Sequence, residues 1–436
     1  MQMAGGTFVT RNKVRAGAYI NFVSEYSPLG TAADRGVVLL PMALPFGPAG
    51  KAAEVEGNTD VRKLFGLSGF SEELTLLREA AKRARKVLVW RLGGGEKASC
   101  TDGGLTVTAK YPGSGGNRIA VKVLSGTGNM FTVETYLSGR MVEQQQAANA
   151  EELKENSWVV FSGTGALTPH AGIVLSGGSD REVTEEDWEE FFLAAETLTY
   201  NTMAVPTSDA GIKEKAVSFI RRMREDEGVK VQAVVAGLEA DYEGIISAAN
   251  GVILSDGRKI TPEEATAYIA GMTAGAAVNK SCTYDTYDGA VAAEPSFLSS
   301  EVEKKIGQGQ LVFISRGNKA VVEQDINTFT GFSAEKGDAF RKNRTLRVMD
   351  AIGGDVRRIF EDYYLGKCAN DEDGRALFRE ELFAYLKNLY DLRAVEQPQL
   401  SDIEVRRGET ADSVIVEMGV QPVDSMEKLY MTVTVG

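Results

Sequence analysis

The sequence has very few of the residues on which most catalytic centres depend. Its 436 residues include one histidine, His170, and three cysteines, Cys100, Cys282 and Cys368. A Ser-His-Asp or Cys-His centre would have to use His170, and one histidine cannot build a polyhistidine metal site within a single chain. The odd number and wide spacing of the cysteines are typical of a reducing compartment and argue against a disulfide framework or a zinc site.

Long apolar runs and an excess of positive charge are also missing. No stretch approaches the length that a bilayer requires, and the N-terminus lacks the apolar core of a signal peptide. The formal net charge is −13, whereas a protein that binds nucleic acid through its phosphates is normally basic. We therefore expect a protein that is made in the cytoplasm, inserts into no membrane and binds no nucleic acid.

The motifs of hydrolytic and nucleotide-binding enzymes are incomplete. A Gly-x-Ser-x-Gly elbow does not occur, and no predicted helix follows the glycines at 93–95. The segment 47–51 ends in Gly-Lys but lacks the upstream glycine and the following Ser or Thr of a phosphate-binding loop. We predict no catalytic residue, cofactor or metal, and we interpret His170 as a structural or surface histidine.

The apolar pattern predicts an α/β framework. Hydrophobic content of 43% and charged content of 25% are ordinary for a globular chain, and the length suggests about two to four domains. A strand at 36–41, a helix at 72–86 and a strand at 87–92 are spaced like a βαβ unit. Strands and helices alternate again after residue 183, which indicates a mostly parallel sheet covered on both faces.

Two other segments differ from this framework. Residues 96–182 are rich in Gly, Thr, Ser and Val and alternate between apolar and polar, which predicts a β-sandwich-like insertion. Apolar residues recur at helical spacing over 340–365, a second helix is predicted from Gly374 to Asp391, and strands are predicted at 403–405 and 413–418. The last part of the chain therefore reads as an α+β domain.

Both ends of the sequence carry apolar, β-forming residues. Residues 7–9 and 18–23 are predicted strands on either side of a turn, and residues 429–435 form an apolar, β-branched run. An unpaired strand exposes backbone donors and acceptors and favours pairing with another chain. Two such ends predict a protein whose work is done between subunits.

One basic cluster stands out in this acidic chain. It comprises residues 341–347, and Arg358 lies farther along the same predicted helix. Arg344, Arg347 and Arg358 can share one helix face. The cluster is either an ordinary solvated face or a docking surface for an acidic partner, because opposite charge steers encounter and fixes register.

Four short segments carry a resemblance to a known family. They are residues 3–8, 14–22, 35–38 and 340–350, and the first two are the most specific. Together with the order of the predicted domains, they resemble contractile phage tail sheath proteins, above all the sheaths of defective prophages and phage-tail-like bacteriocins of Gram-positive bacteria. The family pattern usually has proline where this chain has Ala16. The resemblance covers essentially the full length.

The resemblance implies an α/β multidomain fold. A central subtilisin-like α/β domain without a catalytic triad would carry an inserted β-sandwich-like domain, an α+β C-terminal domain and extended terminal arms. The expected segments are an N-terminal arm at 1–28, the central domain at 29–95 and 183–335, the sandwich at 96–182, the C-terminal domain at 336–420 and a C-terminal arm at 421–436.

The resemblance also implies a structural, non-enzymatic function. Such subunits polymerise as stacked hexameric rings around an inner tail tube and contract to drive the tube through a bacterial envelope. The implied partners are further copies of the chain, the inner tube protein, and baseplate and tail-terminator proteins. Assembly is expected in the bacterial cytoplasm, within a phage tail or tailocin particle that lysis releases. The alternatives are an α/β-hydrolase-like or nucleotide-binding enzyme, and another tail or baseplate protein.

Two sets of residues are then the expected assembly sites. The arms would lend strands to neighbouring subunits through Phe8, Val9, Tyr19, Ile20, Phe22, Leu429, Tyr430, Met431, Val433 and Val435. The expected contact with the inner tube is formed by Arg341, Lys342, Arg344 and Arg347.

Overall fold

A computed structural model describes residues 35–435 and, for the backbone alone, two short N-terminal strands. These are β1 (Ala4–Gly6) and β2 (Gly17–Tyr19), which pair in parallel. The chain divides into two compact units. We call Ala33–Gly354 with Gln421–Gly436 the central unit, and Met1–Ala32 with Asp355–Val420 the C-terminal unit.

The first part of the central unit contains the predicted βαβ pattern with one extra strand. Its elements are β3 (Val37–Ala43), β4 (Ala53–Glu56), α1 (Val61–Phe65), α2 (Thr75–Ala81) and β5 (Lys86–Leu92). Helix α2 is shorter than the predicted helix at 72–86, because its first turn is a 3₁₀ turn and it ends at Ala81.

The β-rich segment forms two facing antiparallel sheets. Its strands are β6 (Gly95–Glu96), β7 (Ser99–Asp102), β8 (Leu105–Ala109), β9 (Ile119–Ser125), β10 (Phe131–Leu137), β11 (Arg140–Ala147), β12 (Val159–Gly163), β13 (His170–Val174) and β14 (Ser179–Asp180). One sheet has the order β11-β10-β9-β13 and the other β12-β8-β7.

Alternation along the strands builds the core of this sandwich. Leu105, Val107 and Ala109 of β8 are buried, whereas the two threonines between them are not. Strand side chains point alternately to opposite faces, so one face of each sheet is apolar and closes on the other. Strands β6 and β14 pair with each other, so the insertion begins and ends side by side.

The second part of the central unit continues the α/β pattern. Its elements are α3 (Glu185–Ala195), β15 (Thr202–Ala204), α4 (Ala210–Glu225), β16 (Gln232–Ala236), β17 (Ile245–Ala248), β18 (Gly251–Leu254), β19 (Lys259–Ile260), α5 (Pro262–Gly275), β20 (Ala290–Glu294), α6 (Ser299–Gly307), β21 (Gln310–Leu311), β22 (Phe313–Ser315) and β23 (Ala320–Val322). Helices α3 and α5 begin at capping boxes on Thr184 and Thr261, which satisfy the first backbone donors.

A seven-stranded sheet joins the two parts in the order β21-β17-β16-β15-β3-β5-β4. All its neighbours are parallel except β4, which pairs antiparallel with β5. Both faces are covered: Val38 and Leu40 pack into one apolar cluster with Tyr268 of α5, and Leu39 packs into another with Phe191 of α3. Strands buried on both faces explain the continuous apolar runs in the sequence.

Helix α5 lies very close to the end of α2. A Cβ atom placed on Gly271 would stand 2.3 Å from the carbonyl oxygen of Ala80, and one placed on Gly275 would stand 2.1 Å from that of Arg83. These two helical glycines are therefore required by the close approach of the backbones.

The C-terminal unit combines two helices and a small sheet. Helix α7 (Asn343–Ile359) starts in the central unit, crosses into the C-terminal unit after Gly354 and continues as a π-helical turn (Phe360–Tyr364). Helix α8 (Glu372–Asp391) follows, and β24 (Ile403–Arg407) pairs antiparallel with β25 (Val414–Met418). Arg379 of α8 donates to the carbonyl oxygens of Leu400 and Ile403, both at 2.7 Å, and so ties α8 to β24. The expectation of a multidomain α/β protein with a β-sandwich domain is confirmed.

Candidate assembly site

The last residues of the chain form an exposed apolar segment. Residues 429–435 contain no helix or strand, so the terminal strand predicted from the sequence is not formed within the described chain. Their large side chains are exposed: Leu429 85%, Tyr430 89%, Met431 74%, Val433 70% and Val435 89%. A contiguous exposed apolar run of this kind marks an interaction surface or an aggregation liability. From here on, the C-terminal arm means residues 428–435, the exposed part of the segment expected at 421–436.

Just before the arm, the side chain of Glu427 contacts residues that lie far away in the sequence of the central unit. Glu427 is 10% exposed and forms an ion pair with Lys342. Its Oε1 accepts hydrogen bonds from the hydroxyl of Thr283 at 2.8 Å and from the hydroxyl of Ser425 at 3.1 Å. Both carboxylate oxygens are therefore engaged at the point where the arm begins.

The N-terminal assembly residues are mostly outside the described part of the chain. Phe8, Val9, Ile20 and Phe22 lie outside the described residues, and Tyr19 is described only as the end of β2. The strand predicted at 18–23 thus overlaps β2 at its first two residues.

The sheet of the C-terminal unit has two strands in the described structure. Strands β24 and β25 pair with each other through five residue pairs, from Ile403 opposite Met418 to Arg407 opposite Val414. A strand that pairs on one side has a row of backbone N–H and C=O groups on the other. This small sheet therefore offers edges to which a further strand can add.

The basic cluster at 341–347 is not a solvent-facing surface. Arg347 is 1% exposed and Arg344 is 9% exposed, while the Arg341 side chain donates to the carbonyl oxygen of Ile306. Burial lowers the pKa of Arg341 and of Arg344. The expectation that Arg344 and Arg347 share an exposed basic face with Arg358 is therefore wrong, because helix α7 turns this face inward. Arg358 pairs instead with Asp355 at 3.0 Å.

Arg347 belongs to a buried polar network at the start of α7. Its Nη2 lies 2.8 Å from the carboxylate of Asp325, and both side chains are 1% exposed. Asp325 also accepts the Cys282 N–H at 3.0 Å and the Asn343 side-chain amide at 2.9 Å. Burial alone would raise the pKa of Asp325, but Arg347 and these hydrogen bonds outweigh it and hold the pKa below its usual range.

A second buried ion pair holds the middle of α7. Arg224 of α4 contacts Asp350 at 2.7 Å, with side chains that are 5% and 11% exposed. The guanidinium also donates to the carbonyl oxygen of Val231 at 3.0 Å. Two buried ion pairs therefore fix the part of α7 that belongs to the central unit.

His170, Asp285 and Asp288 are engaged in structural contacts. His170 lies on β13, where its Nδ1 accepts the Gly172 N–H at 3.0 Å and its Nε2 is 3.9 Å from Asp102. Asp285 pairs with Lys280 at 2.6 Å. Asp288 accepts a hydrogen bond from Arg83 at 2.9 Å. These contacts hold turns and helix ends.

A groove of about 680 Å³ lies at the carboxyl ends of β3, β5 and β15. In open α/β sheets this is the usual place for a ligand. Here the lining includes the apolar side chains of Met42 and Trp188, and two of its acids, Asp209 and Glu185, are engaged in structural contacts. Asp209 caps α4 by accepting a backbone N–H at 3.0 Å, and Glu185 pairs with Lys215 at 2.6 Å.

In the described part of the chain, no group of three His, Cys, Asp or Glu side chains is placed to hold a metal ion. Within the same residues, no helix is both long and apolar enough to span a bilayer.

Comparison with known proteins gives four family models that follow one another along the chain. They are the N-terminal region of domain III of the tail sheath protein Gp18 at 35–92, the phage tail sheath protein β-sandwich domain at 93–180, the phage tail sheath protein central domain at 181–328 and the phage tail sheath C-terminal domain at 335–436. The family model of the β-sandwich domain covers strands β6 to β14 of this chain.

Individual relatives agree with these models. The phage-like element PBSX protein XkdK of Bacillus subtilis (strain 168) is 35% identical over 465 residues, covering 99% of this chain and 100% of the relative. The tail sheath protein of Clostridium phage phiCD119 is 28% identical over 241 residues, covering 55% of this chain and 66% of the relative.

Solved structures extend the comparison to the fold. A sheath tail protein of Desulfitobacterium hafniense superposes with a TM-score of 0.84 at 41% identity, covering 95% of this chain and 99% of that chain. The helical sheath of the anti-feeding prophage in its contracted state gives a TM-score of 0.58 at 11% identity, covering 95% and 98%, and so shares the fold.

The fold and these similarities define a structural component of a phage or prophage tail. More narrowly, the chain belongs to the phage tail sheath protein family, and its function is that of a subunit of a contractile tail sheath.

Three residues at the base of the arm were missed in the sequence. Thr283, Asp325 and Glu427 come from separate parts of the chain, and no local pattern marks them. Lys342 was singled out, but as a tube contact and not as the partner of Glu427. The sequence carries one hint, which is that Glu427 is the last acidic side chain before an apolar run.

Proposed function

We propose that this sheath subunit joins its neighbours by strand exchange through its terminal arms. The observation that carries the proposal is the exposed apolar C-terminal arm, which begins directly after the anchored Glu427. Its five exposed apolar side chains, named above, would each contribute about 1.5–3 kcal/mol if a neighbouring subunit buried them fully. The N-terminal residues Phe8, Val9, Tyr19, Ile20 and Phe22 are proposed to act in the same way.

The proposed acceptor is the two-stranded sheet of the C-terminal unit of a neighbour. Addition of a strand to β24 or β25 would satisfy backbone groups at the sheet edge, and alternate side chains of the arm would set the register. Val414 and Val416 of β25 are half-buried, which leaves apolar surface for a neighbouring strand to cover. This arrangement accounts for an apolar arm better than aggregation does.

The larger assembly follows from the same linkage. A head-to-tail contact that does not close produces a helical array, and we propose hexameric rings stacked around an inner tail tube. In the extended sheath the subunits would be metastably packed. On contraction they would move while the exchanged arms keep the lattice connected, and the free energy would come from new subunit contacts without ATP.

Several finer features are part of the proposal. The subunit is non-enzymatic, its central domain is subtilisin-like in topology, and its segments are 1–28, 29–95 with 183–335, 96–182, 336–420 and 421–436. Its partners are copies of itself, the tube protein, and baseplate and tail-terminator proteins, and assembly takes place in the bacterial cytoplasm. Arg341 and Lys342 stay predicted tube contacts, whereas burial of Arg344 and Arg347 argues against these two as tube contacts.

The proposal is tested by removing the arm while keeping its base. A chain ending at Lys428 retains Glu427 and should fold with an unchanged circular dichroism spectrum and unfolding midpoint, because residues 429–435 make no helix or strand. Negative-stain microscopy should show long tubes or ring stacks for the full chain and dispersed subunits for the truncated one. Tubes formed by the truncated chain would show that the arm does not link subunits. The control is Leu193→Ser, which removes a side chain that is 69% exposed on α3, outside the arm.

A further inference from the structure

Glu427 is a largely buried side chain at the border between a partly buried stretch, at residues 422, 423 and 425, and the exposed end of the chain. Met426 is fully exposed, and Leu429 is 85% exposed. Lys428 is exposed as well. Glu427 is 10% exposed between them, with its carboxylate on Lys342 and Thr283. An anchored side chain directly before an exposed apolar run is the geometry of an attachment point for that run.

The attachment continues into the interior. The hydroxyl of Thr283 donates to Glu427 and accepts the Asp325 N–H at 3.0 Å. The Asp325 carboxylate in turn holds Asn343 and Arg347 of α7. Glu427 is thus connected to the first two turns of α7 through Thr283 and Asp325.

A second connection is direct. Lys342, the ion-pair partner of Glu427, immediately precedes Asn343, the first residue of α7. The chain leaves the central unit along α7 and returns to it at Gln421. Both passages of the chain are therefore tied into one polar network of the central unit.

We propose that Glu427 is the fixed root of the C-terminal arm, which means the residue that anchors the arm to the rest of the central unit. As a positioning residue, it limits the donated segment to residues 428–435. It also transmits a force on the arm to the start of α7. The inference rests on the proposed function, because it assumes that a neighbouring subunit takes the arm. A carboxylate that accepts hydrogen bonds and pairs with a cation is suited to this role, since charge-assisted hydrogen bonds are the stronger ones. Because an anchored Glu427 keeps the exposed part of the arm short, a displacement of the neighbouring subunit would be transmitted to the central unit with little prior extension of the arm.

The first test measures the release of the root in the full-length, unassembled protein. Trypsin cleaves after lysine, and Lys428 directly follows the anchor, so cleavage there requires residue 427 to leave its site. The rate of loss of residues 429–436, followed by intact mass, should rise about tenfold in Glu427→Ala, as expected for loss of hydrogen bonds to a charged group. Thr283→Val and Lys342→Met should each raise the rate in the same direction by a smaller factor.

Controls separate the anchor from a general effect of charge. Glu335→Gln removes another carboxylate of the central unit, an exposed one, and should leave the cleavage rate at Lys428 unchanged. If Glu427→Ala destabilises the whole chain, Glu427→Gln, which keeps the shape of the side chain, serves in its place.

The second test measures the connection to α7. Hydrogen exchange of the first two turns of α7, residues 343–349, should become faster in Glu427→Gln than in Glu335→Gln. If Glu427 only covers the surface locally, its replacement should change hydrogen exchange at residues 421–427 and leave hydrogen exchange in α7 unchanged. The inference is overturned if Glu427→Gln changes neither hydrogen exchange in α7 nor the rate of cleavage at Lys428.

The outcomes also separate this inference from the proposed function. If the chain that ends at Lys428 still builds tubes, arm donation fails. If that truncation abolishes tubes while Glu427→Gln leaves cleavage and α7 exchange unchanged, arm donation stands and the fixed root alone is refuted.

Discussion

Removing Asp325 should be among the most costly single changes in this protein. The carboxylate is 1% exposed, pairs with the equally buried Arg347 at 2.8 Å and accepts hydrogen bonds from Cys282 and Asn343. Asp325→Ala would leave a buried guanidinium without its counter-charge. Breaking a buried pair in this way costs about 3–5 kcal/mol, a large part of the stability of an ordinary domain.

A double variant shows whether the cost comes from the unpaired charge. Replacing both partners by apolar residues, Asp325→Leu with Arg347→Met, removes the buried charge altogether. Such replacements are often close to neutral, so the double variant should be more stable than Asp325→Ala. Urea unfolding followed by circular dichroism gives the free energies of unfolding, with the midpoint and slope read separately.

The matched comparison is an exposed ion pair in the same helix region. Arg357 and Glu361 are 2.8 Å apart, but their side chains are 52% and 50% exposed. An exposed pair at this spacing contributes about 0.3–0.5 kcal/mol, so Glu361→Ala should hardly move the unfolding midpoint. If Asp325→Ala costs no more than Glu361→Ala, the reasoning from burial is refuted.

Three further predictions concern stability. Gly271→Ala should destabilise the protein by about 1–3 kcal/mol, because the new Cβ would stand 2.3 Å from the carbonyl oxygen of Ala80. At Gly354 a Cβ would meet nothing within 4 Å, so Gly354→Ala should stabilise the protein by about 0.5–1 kcal/mol. Equal effects of the two variants in thermal unfolding would contradict this reasoning. The pKa of Asp325 is lowered in the fold. Its contribution to the free energy of unfolding is therefore present above the unfolded pKa of about 3.9 and is lost as pH falls through the folded pKa. In Asp325→Asn, the midpoint of urea unfolding should depend less on pH below about pH 4 than it does in the unaltered protein. Phe191→Ala, at a fully buried site, should cost about 3–5 kcal/mol, and a cost near zero would show that α3 does not close this face of the sheet.

Much of the fold could be predicted because its signals are local. The capping threonine before α3, the proline in the first turn of α5 and the alternation along β8 each act over a few residues. Strand β17 (Ile245–Ala248) was missed, since a four-residue apolar run carries little periodicity. Strand β18 pairs locally with β19, but its antiparallel pairing with β20 joins parts of the chain that lie far apart in the sequence, and no local signal predicts it.

The basic cluster shows where local reasoning fails. Helical spacing placed Arg344 and Arg347 correctly on one face of α7, yet spacing gives no information on whether that face meets water or the core. The answer depends on Asp325, which lies 22 residues before Arg347 and provides the counter-charge that makes burial possible. A charged run was therefore interpreted as surface when it is interior.

The sequence by itself determined that this is an acidic, multidomain α/β chain with an apolar, β-forming C-terminal end, and its short motifs determined the sheath family. Each of these properties resides in composition or in neighbouring residues. The tertiary structure alone decided where the arm begins, because the side chains that anchor Glu427 are those of Thr283, 144 residues earlier, and Lys342, 85 residues earlier. Contacts over such separations form only when the whole central unit has folded, and no local pattern encodes them.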